Sequence, residues 1–237
     1  MVGPMEKMAF LLMGGAGTVE AEVGRALREL TVPEMKRRGA YAVQVNVLDS
    51  ALGHPFGVEP EPGSEQILAA VFAWVDSAEG SKVPAALPDA GSSGAAWHGW
   101  LVCEAEPLPN RQYQPAPDGR VPGFAQLVAL SRPEHLSWGE WRRNWQGRHT
   151  SVAVNTQSTF RYVQNVIFRA LTPAAPGFAA IVEECFPAAA ATDLHVFFDA
   201  VGDDAKLARH MAAMSESCDR FMDGVAPVSW TSEWVYQ

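Results

Sequence analysis

Apolar positions along the chain fall into two successive series. Met8-Ala-Phe-Leu-Leu-Met13 is a short apolar run that reads as a strand, and Phe124-Ala-Gln-Leu-Val-Ala-Leu130 answers it in the second half. Each is followed by a segment with helical spacing. In residues 19–36 the apolar face is Val23, Ala26, Leu27 and Leu30; in 137–154 it is Trp138, Trp141, Trp145 and Val152. Ser137 followed by Glu140 predicts a capping box at the start of the second helix. Strands are then predicted over 41–48 and 67–75 in the first half, and over 159–168 and 179–186 in the second. The series close on 97–105 and 227–236.

Between the halves lie four prolines from Pro107 to Pro117 and a fifth at Pro122, which no helix or central strand accommodates. The chain therefore reads as an N-terminal unit (1–108), a Pro-rich linker (109–121) and a C-terminal unit (122–237). An offset of 119 residues lays Asn46 on Asn165 and Leu30 on His149. Read twice, β-α-β-β-α-β is the ferredoxin-like arrangement. The expected fold class is α+β: two tandem ferredoxin-like repeats whose open sheet faces pack together into a barrel, with a pocket between the halves. The repeats are unequal. A helix is predicted near 204–221, whereas the matching stretch of the first half is rich in Gly, Pro and Ser and has its last helix short or lost.

Composition narrows the function. The 237 residues are 48% hydrophobic and 19% charged, with 18 Lys+Arg against 27 Asp+Glu and a net charge of −9. No basic stripe is present of the kind duplex binding requires, so nucleic acid is not an expected partner. No apolar run approaches a membrane span, and no signal peptide is read at the start. Three widely spaced cysteines (Cys103, Cys185, Cys218) read as reduced thiols, which predicts a cytoplasmic protein. No metal-ligand spacing appears, and Met13-Gly-Gly-Ala-Gly-Thr18 lacks a dinucleotide fingerprint. A small-molecule partner is expected, with no metal and no cofactor; a homodimer remains allowed.

The densest chemistry is Ser137-Trp-Gly-Glu-Trp-Arg-Arg-Asn-Trp-Gln-Gly-Arg-His149, followed by Arg161-Tyr-Val-Gln-Asn165. Trp141, Trp145 and His149 share one helical stripe. His149 is expected near the helix C-terminus, where burial and the helix dipole pull its pKa in opposite directions. On the next strand, alternation places Arg161, Asn165 and Arg169 on the barrel side and Tyr162 on the other. His54 sits in a Gly-His-Pro loop that could reach a pocket mouth, and Tyr113 lies in the Pro-rich linker as a candidate lid.

The segment "LSWGEWRRNWQGRHTSVAVNTQSTFRYVQNVIF" resembles the EthD family of the dimeric α+β barrel superfamily, over about residues 122–237. The residues that match are Trp141, Trp145, His149, Tyr162 and Asn165. The later "AAIVEECF", with Glu183 or Glu184, is similar to the family's third strand. The first half departs from the pattern, with Leu30 where the histidine would fall. The resemblance implies a ferredoxin-like fold and a sheet-face pocket. Members of the superfamily include cofactor-free monooxygenases, polyketide cyclases, decarboxylases, isomerases and haem binders.

The leading expectation is a cofactor-independent isomerase or tautomerase of an unsaturated oxygenated acid, of the aromatic-catabolism type. His149, with Asn165 and Tyr162, would carry proton transfer. Arg161 and Arg169 would hold the acid, and Trp141 and Trp145 would wall the site. The alternatives are a cofactor-free monooxygenase or cyclase-like enzyme, or a non-catalytic binding protein.

Overall fold

In the computed structural model, residues 5–15, 20–53, 57, 64–90, 94–224 and 226–237 are described. His54 lies outside them. Eight strands close a single antiparallel barrel: β1 (Glu6–Gly14), β2 (Ala42–Leu48), β3 (Gln66–Val75), β4 (Ala96–Leu108), β5 (Phe124–Leu130), β6 (Arg161–Ala170), β7 (Ala180–Phe186) and β8 (Val228–Tyr236). The order around the barrel is β1-β3-β2-β8-β5-β7-β6-β4. The first four strands thus lie as β4-β1-β3-β2 and the last four as β8-β5-β7-β6. The two sets join edge to edge, β2 to β8 and β4 to β6. Closure leaves none of the described strands with a free edge.

The strands read as near-continuous apolar runs because both of their faces are covered. Outside, Met8, Phe10 and Leu12 of β1 pack with Leu27, Val32 and Met35 of the first helical segment. Inside, Ala9, Leu11 and Met13 of the same strand meet Phe72, Trp100, Leu127 and Ile181. The barrel interior thus holds an apolar cluster and a buried ion-pair network, and a cavity lies not between the halves, as expected, but on the outer sheet face of the second.

In that network Lys7 Nζ lies 3.0 Å from Glu183 Oε1 and 2.5 Å from Glu104 Oε2, over the rings of Phe72 and Trp74. Arg161 reaches Glu106 at 3.0 Å and Glu233 at 3.2 Å. Gln44 Nε2 donates to Glu183 and Glu233, and Asn165 Nδ2 donates to Glu183 Oε1 at 2.8 Å. Burial works against the Glu183 carboxylate, but Lys7 and Arg161 more than offset it and hold its pKa down. Burial pushes Glu233 up.

Each half carries a helical segment with a π turn within it. In residues 20–37 the π turn is Leu27–Thr31; in 138–156 it is Arg143–His149. The capping box at Ser137 and Glu140 is present with both of its hydrogen bonds. The π turns alter the register that a constant 3.6-residue period predicts. Thr31 is buried where Leu30 was expected, and Leu30 is 71% exposed. Outside β5–β8 lie the short helix Leu194–Phe197 and the longer helix Asp204–Cys218. Among its described residues, the matching stretch of the first half holds only the 3-10 turn Val83–Ala86. No described helix is long and apolar enough to cross a membrane. Strand β4 runs to Leu108, up to the Pro-rich stretch, where the Tyr113 ring packs on Phe160 with centroids 4.5 Å apart.

Candidate active site

The second half's outer sheet face does not close fully against its helices. A cavity of about 610 Å³ lies between them. Its floor includes one row across three paired strands: Gln126 of β5 stands opposite Glu184 of β7, which stands opposite Tyr162 of β6. Val128, Val182 and Leu130 extend the floor. Trp145 and His149 form one wall, while Leu194, Phe198, Met211, Met214, Cys218 and Phe221 supply much of the rest. Among the described lining residues there is no Lys or Arg.

The row is tied together by hydrogen bonds. Trp230 Nε1 donates to Gln126 Oε1 at 3.0 Å, and Gln126 Nε2 donates to Glu184 Oε2 at 3.1 Å. Trp145 Nε1 donates to the Tyr162 hydroxyl at 3.2 Å. Glu184 Oε1 has no protein partner. Burial without a neighbouring cation raises the Glu184 pKa to about 7, against the single favourable bond from Gln126. Burial also pushes the Tyr162 hydroxyl well up, and it stays protonated at neutral pH. The Cys218 thiol is raised to about 11, chiefly by burial.

His149 is buried, its Nδ1 3.0 Å from Ser217 Oγ and its ring 4.7 Å from that of Phe221. Burial lowers its pKa to about 4. The helix runs on to Thr156, so the C-terminal dipole expected to oppose burial is nearly two turns away. His149 is therefore a neutral imidazole at pH 7 rather than a group balanced near neutrality.

This shift carries a stability prediction. A histidine whose folded pKa lies below its unfolded value costs stability as pH falls from about 6.5 toward 4. The loss is on the order of 3 kcal/mol for a shift of this size. Glu184, raised in the fold, acts oppositely: its contribution is full below its unfolded pKa of 4.5 and is lost as pH rises through about 7. The Glu184 effect is common to wild type and to a His149→Gln variant. Denaturant unfolding of both proteins from pH 7 to pH 4 should show wild type losing that extra stability; parallel curves would refute a buried, neutral His149.

The sequence-selected residues separate into two groups. His149, Trp145 and Tyr162 share the cavity, with Trp141 buried behind them and its indole N–H donating to Phe221 O. Asn165 and Arg161 lie on the opposite face of the same strand, inside the barrel, engaged with Glu183, Glu106 and Glu233. Arg169 is partly exposed and pairs with Glu79 at 3.0 Å. The expected grouping of His149 with an Asn165–Arg161–Arg169 clamp is thereby corrected, because successive strand residues face opposite sides. Tyr113 is not among the residues lining the cavity. Gln126, Gln157 and Ser215 line the cavity without having been singled out in the sequence, and Glu184 was named there only as an alternative to Glu183 on the family resemblance. The adjacent Glu183-Glu184 pair in an otherwise apolar strand was the available signal, since one of the two must face the helices.

No family model matches the chain, and no curated protein matches it. Solved structures do. A crystal structure of an anthrone oxidase-like protein aligns with a TM-score of 0.58 at 11% identity, over 99% of this chain and 95% of that one. A provisionally assigned monooxygenase from Lactobacillus acidophilus NCFM and a provisionally assigned chlorite dismutase each give 0.48 at 9% identity. They align over 97% of this chain and over 93% and 95% of theirs. The resemblance to the EthD family thus has no family model behind it, while the first alignment shows a shared fold over nearly the whole of both chains, here a closed eight-stranded antiparallel barrel with helices outside.

Proposed function

We propose that this chain is a cofactor-independent enzyme that removes a proton from a neutral, ring-containing ketone or phenol, with Glu184 as the base. The observation that carries the reading is the Glu184 carboxyl group itself. It lines an apolar cavity, keeps one oxygen unpartnered and has a pKa near 7, where a general base works best. The cavity has no cation among its described lining residues to hold a carboxylate, so an uncharged substrate fits better than the organic acid first expected. A volume of about 610 Å³ accommodates a tricyclic skeleton.

The carbanion formed at an activated methylene has two fates. In the first, it attacks dioxygen, and protonation gives a hydroperoxide. Loss of water then leaves a carbonyl, so that one dioxygen is consumed and one water released per methylene oxidised. A largely apolar cavity favours this route by limiting premature reprotonation. The likeness in fold to an anthrone oxidase-like protein is in keeping with it. In the second, the carbanion is reprotonated elsewhere, giving a tautomer or isomer. The protonated Tyr162 hydroxyl, directly opposite Glu184 in the strand pairing, favours that reading. The matching strand orders of the two halves support a descent from two tandem ferredoxin-like repeats, and among the described residues the helix-covered cavity lies in the second.

The test is incubation with hydroxylated tricyclic ketones, following the spectrum and dissolved oxygen together. One dioxygen per product supports the oxygenase, and a spectral change without oxygen uptake supports the isomerase. No reaction with any enolisable ring ketone removes the proposal.

A further inference from the structure

The cavity holds a second buried acceptor that the proton-transfer reading does not use. Gln157 follows the helical segment 138–156 in extended conformation, its backbone N–H donating to Ala153 O. Its side chain lines the same cavity as Glu184 and is 6% exposed. Its Oε1 is buried and has no protein partner. A buried amide oxygen without a donor costs roughly 1–3 kcal/mol, and such a group in a native cavity calls for an explanation. Of the six buried side-chain atoms without partners among the described residues, two belong to residues that line this one cavity, and both are oxygens that accept: Glu184 Oε1 and Gln157 Oε1. Of the other polar side chains of the lining, Gln126 and Tyr162 on the floor and His149 on the wall already have protein partners, which leaves these two acceptors unsatisfied within the protein.

We propose that Gln157 is a specificity-determining residue. It accepts a hydrogen bond from a second donor on the bound molecule, so that the site selects ring compounds carrying two outward hydroxyl or amine groups over those carrying one. This deepens the reading above, and it rests on that reading only for the location of the site. Gln157 itself takes no part in the proton transfer. A site built around a substrate hydroxyl rejects the analogue that lacks it, because the acceptor is then left buried and unpaired.

The experiment is direct binding, which needs no turnover. The full chain is titrated by calorimetry with 2,6-dihydroxyanthraquinone, 2-hydroxyanthraquinone and anthraquinone, at a pH low enough to keep the phenols protonated. Their hydroxyls point away from the ring carbonyls and are free to donate. Wild type should bind the diol about 3- to 10-fold more tightly than the mono-hydroxy compound, the worth of one hydrogen bond. Gln157→Met should abolish that ratio while still binding the mono-hydroxy compound. Gln157→Asn, whose amide falls short by one methylene, should do the same and guards against a folding defect in the first variant. A wild-type protein that does not distinguish the diol, or a Gln157→Met protein that keeps the full preference, overturns the proposal. Its failure is separable from failure of the proton-transfer reading: the binding ratio is read without turnover on wild type and the Gln157 variants, whereas the proton-transfer reading falls on full turnover by Glu184→Gln.

Discussion

Glu184→Gln should lower kcat by about 10²- to 10⁴-fold on any substrate the wild type turns over, the usual contribution of a general base. The substitution keeps the shape of the side chain and an acceptor for the Gln126 amide, but removes the group that takes the proton. Stability should move the other way. A carboxyl buried with one unpartnered oxygen and no nearby cation is a burden on the fold, and its raised pKa records that burden. The variant should therefore unfold at the same temperature as wild type or higher. Loss of activity together with loss of stability would mean that Glu184 holds the sheet together, and the catalytic assignment would fall. The pairing of lost rate with preserved or improved stability is what a strained functional group predicts.

The second large effect concerns the barrel interior. Arg161→Met should cost about 3–5 kcal/mol of stability at pH 7–8, because it leaves Glu233 buried without its cation and Glu183 with Lys7 alone. In a chain of this length each kcal/mol shifts the melting temperature by about 2–4 °C, so a fall of roughly 6–20 °C is expected. The penalty should shrink toward pH 5. Glu233 is already pushed up by burial, and without Arg161 it takes a proton more easily and sheds its charge. Turnover at a permissive temperature should keep its wild-type KM, since Arg161 lies across the sheet from the cavity. A raised KM with unchanged stability would restore Arg161 to the substrate-binding role that the sequence suggested for it.

These two experiments probe opposite faces of the same sheet, and the contrast explains what the sequence made legible. Two-residue alternation sorted β6 correctly into an Arg161–Asn165 face and a Tyr162 face, because a strand's side-chain period is fixed. It did not say which face borders empty space. Both faces of a barrel strand are covered, and the difference between a filled interior and a cavity under a helix is a matter of packing between distant segments. The helix Asp204–Cys218, over 50 residues from the Trp145–His149 stripe, brings Met211, Met214 and Cys218 to that cavity. No local pattern encodes that contact.

The π turns were invisible for a related reason. One extra residue in a helical turn changes the register of everything beyond it, yet it leaves the spacing of Trp141 and Trp145 untouched. The repeat offset therefore laid Leu30 on His149 although the fold buries Thr31. The His149 environment was misjudged by its distance from the helix end: a helix that continues to Thr156 withholds the dipole that would have kept the imidazole near neutrality.

The proton-transfer account is tested most directly by the pH dependence of turnover. Among the described ionisable groups lining the cavity, His149 is neutral above about pH 4, Cys218 holds its proton to about 11, and Tyr162 is pushed well up. Glu184 is the one with a pKa near 7. The account predicts a kcat that rises tenfold per pH unit on the acid side, bends near pH 7 and is flat above it to about pH 9. A rate that is level from pH 5 to pH 9, or that falls as pH rises through 7, would contradict it.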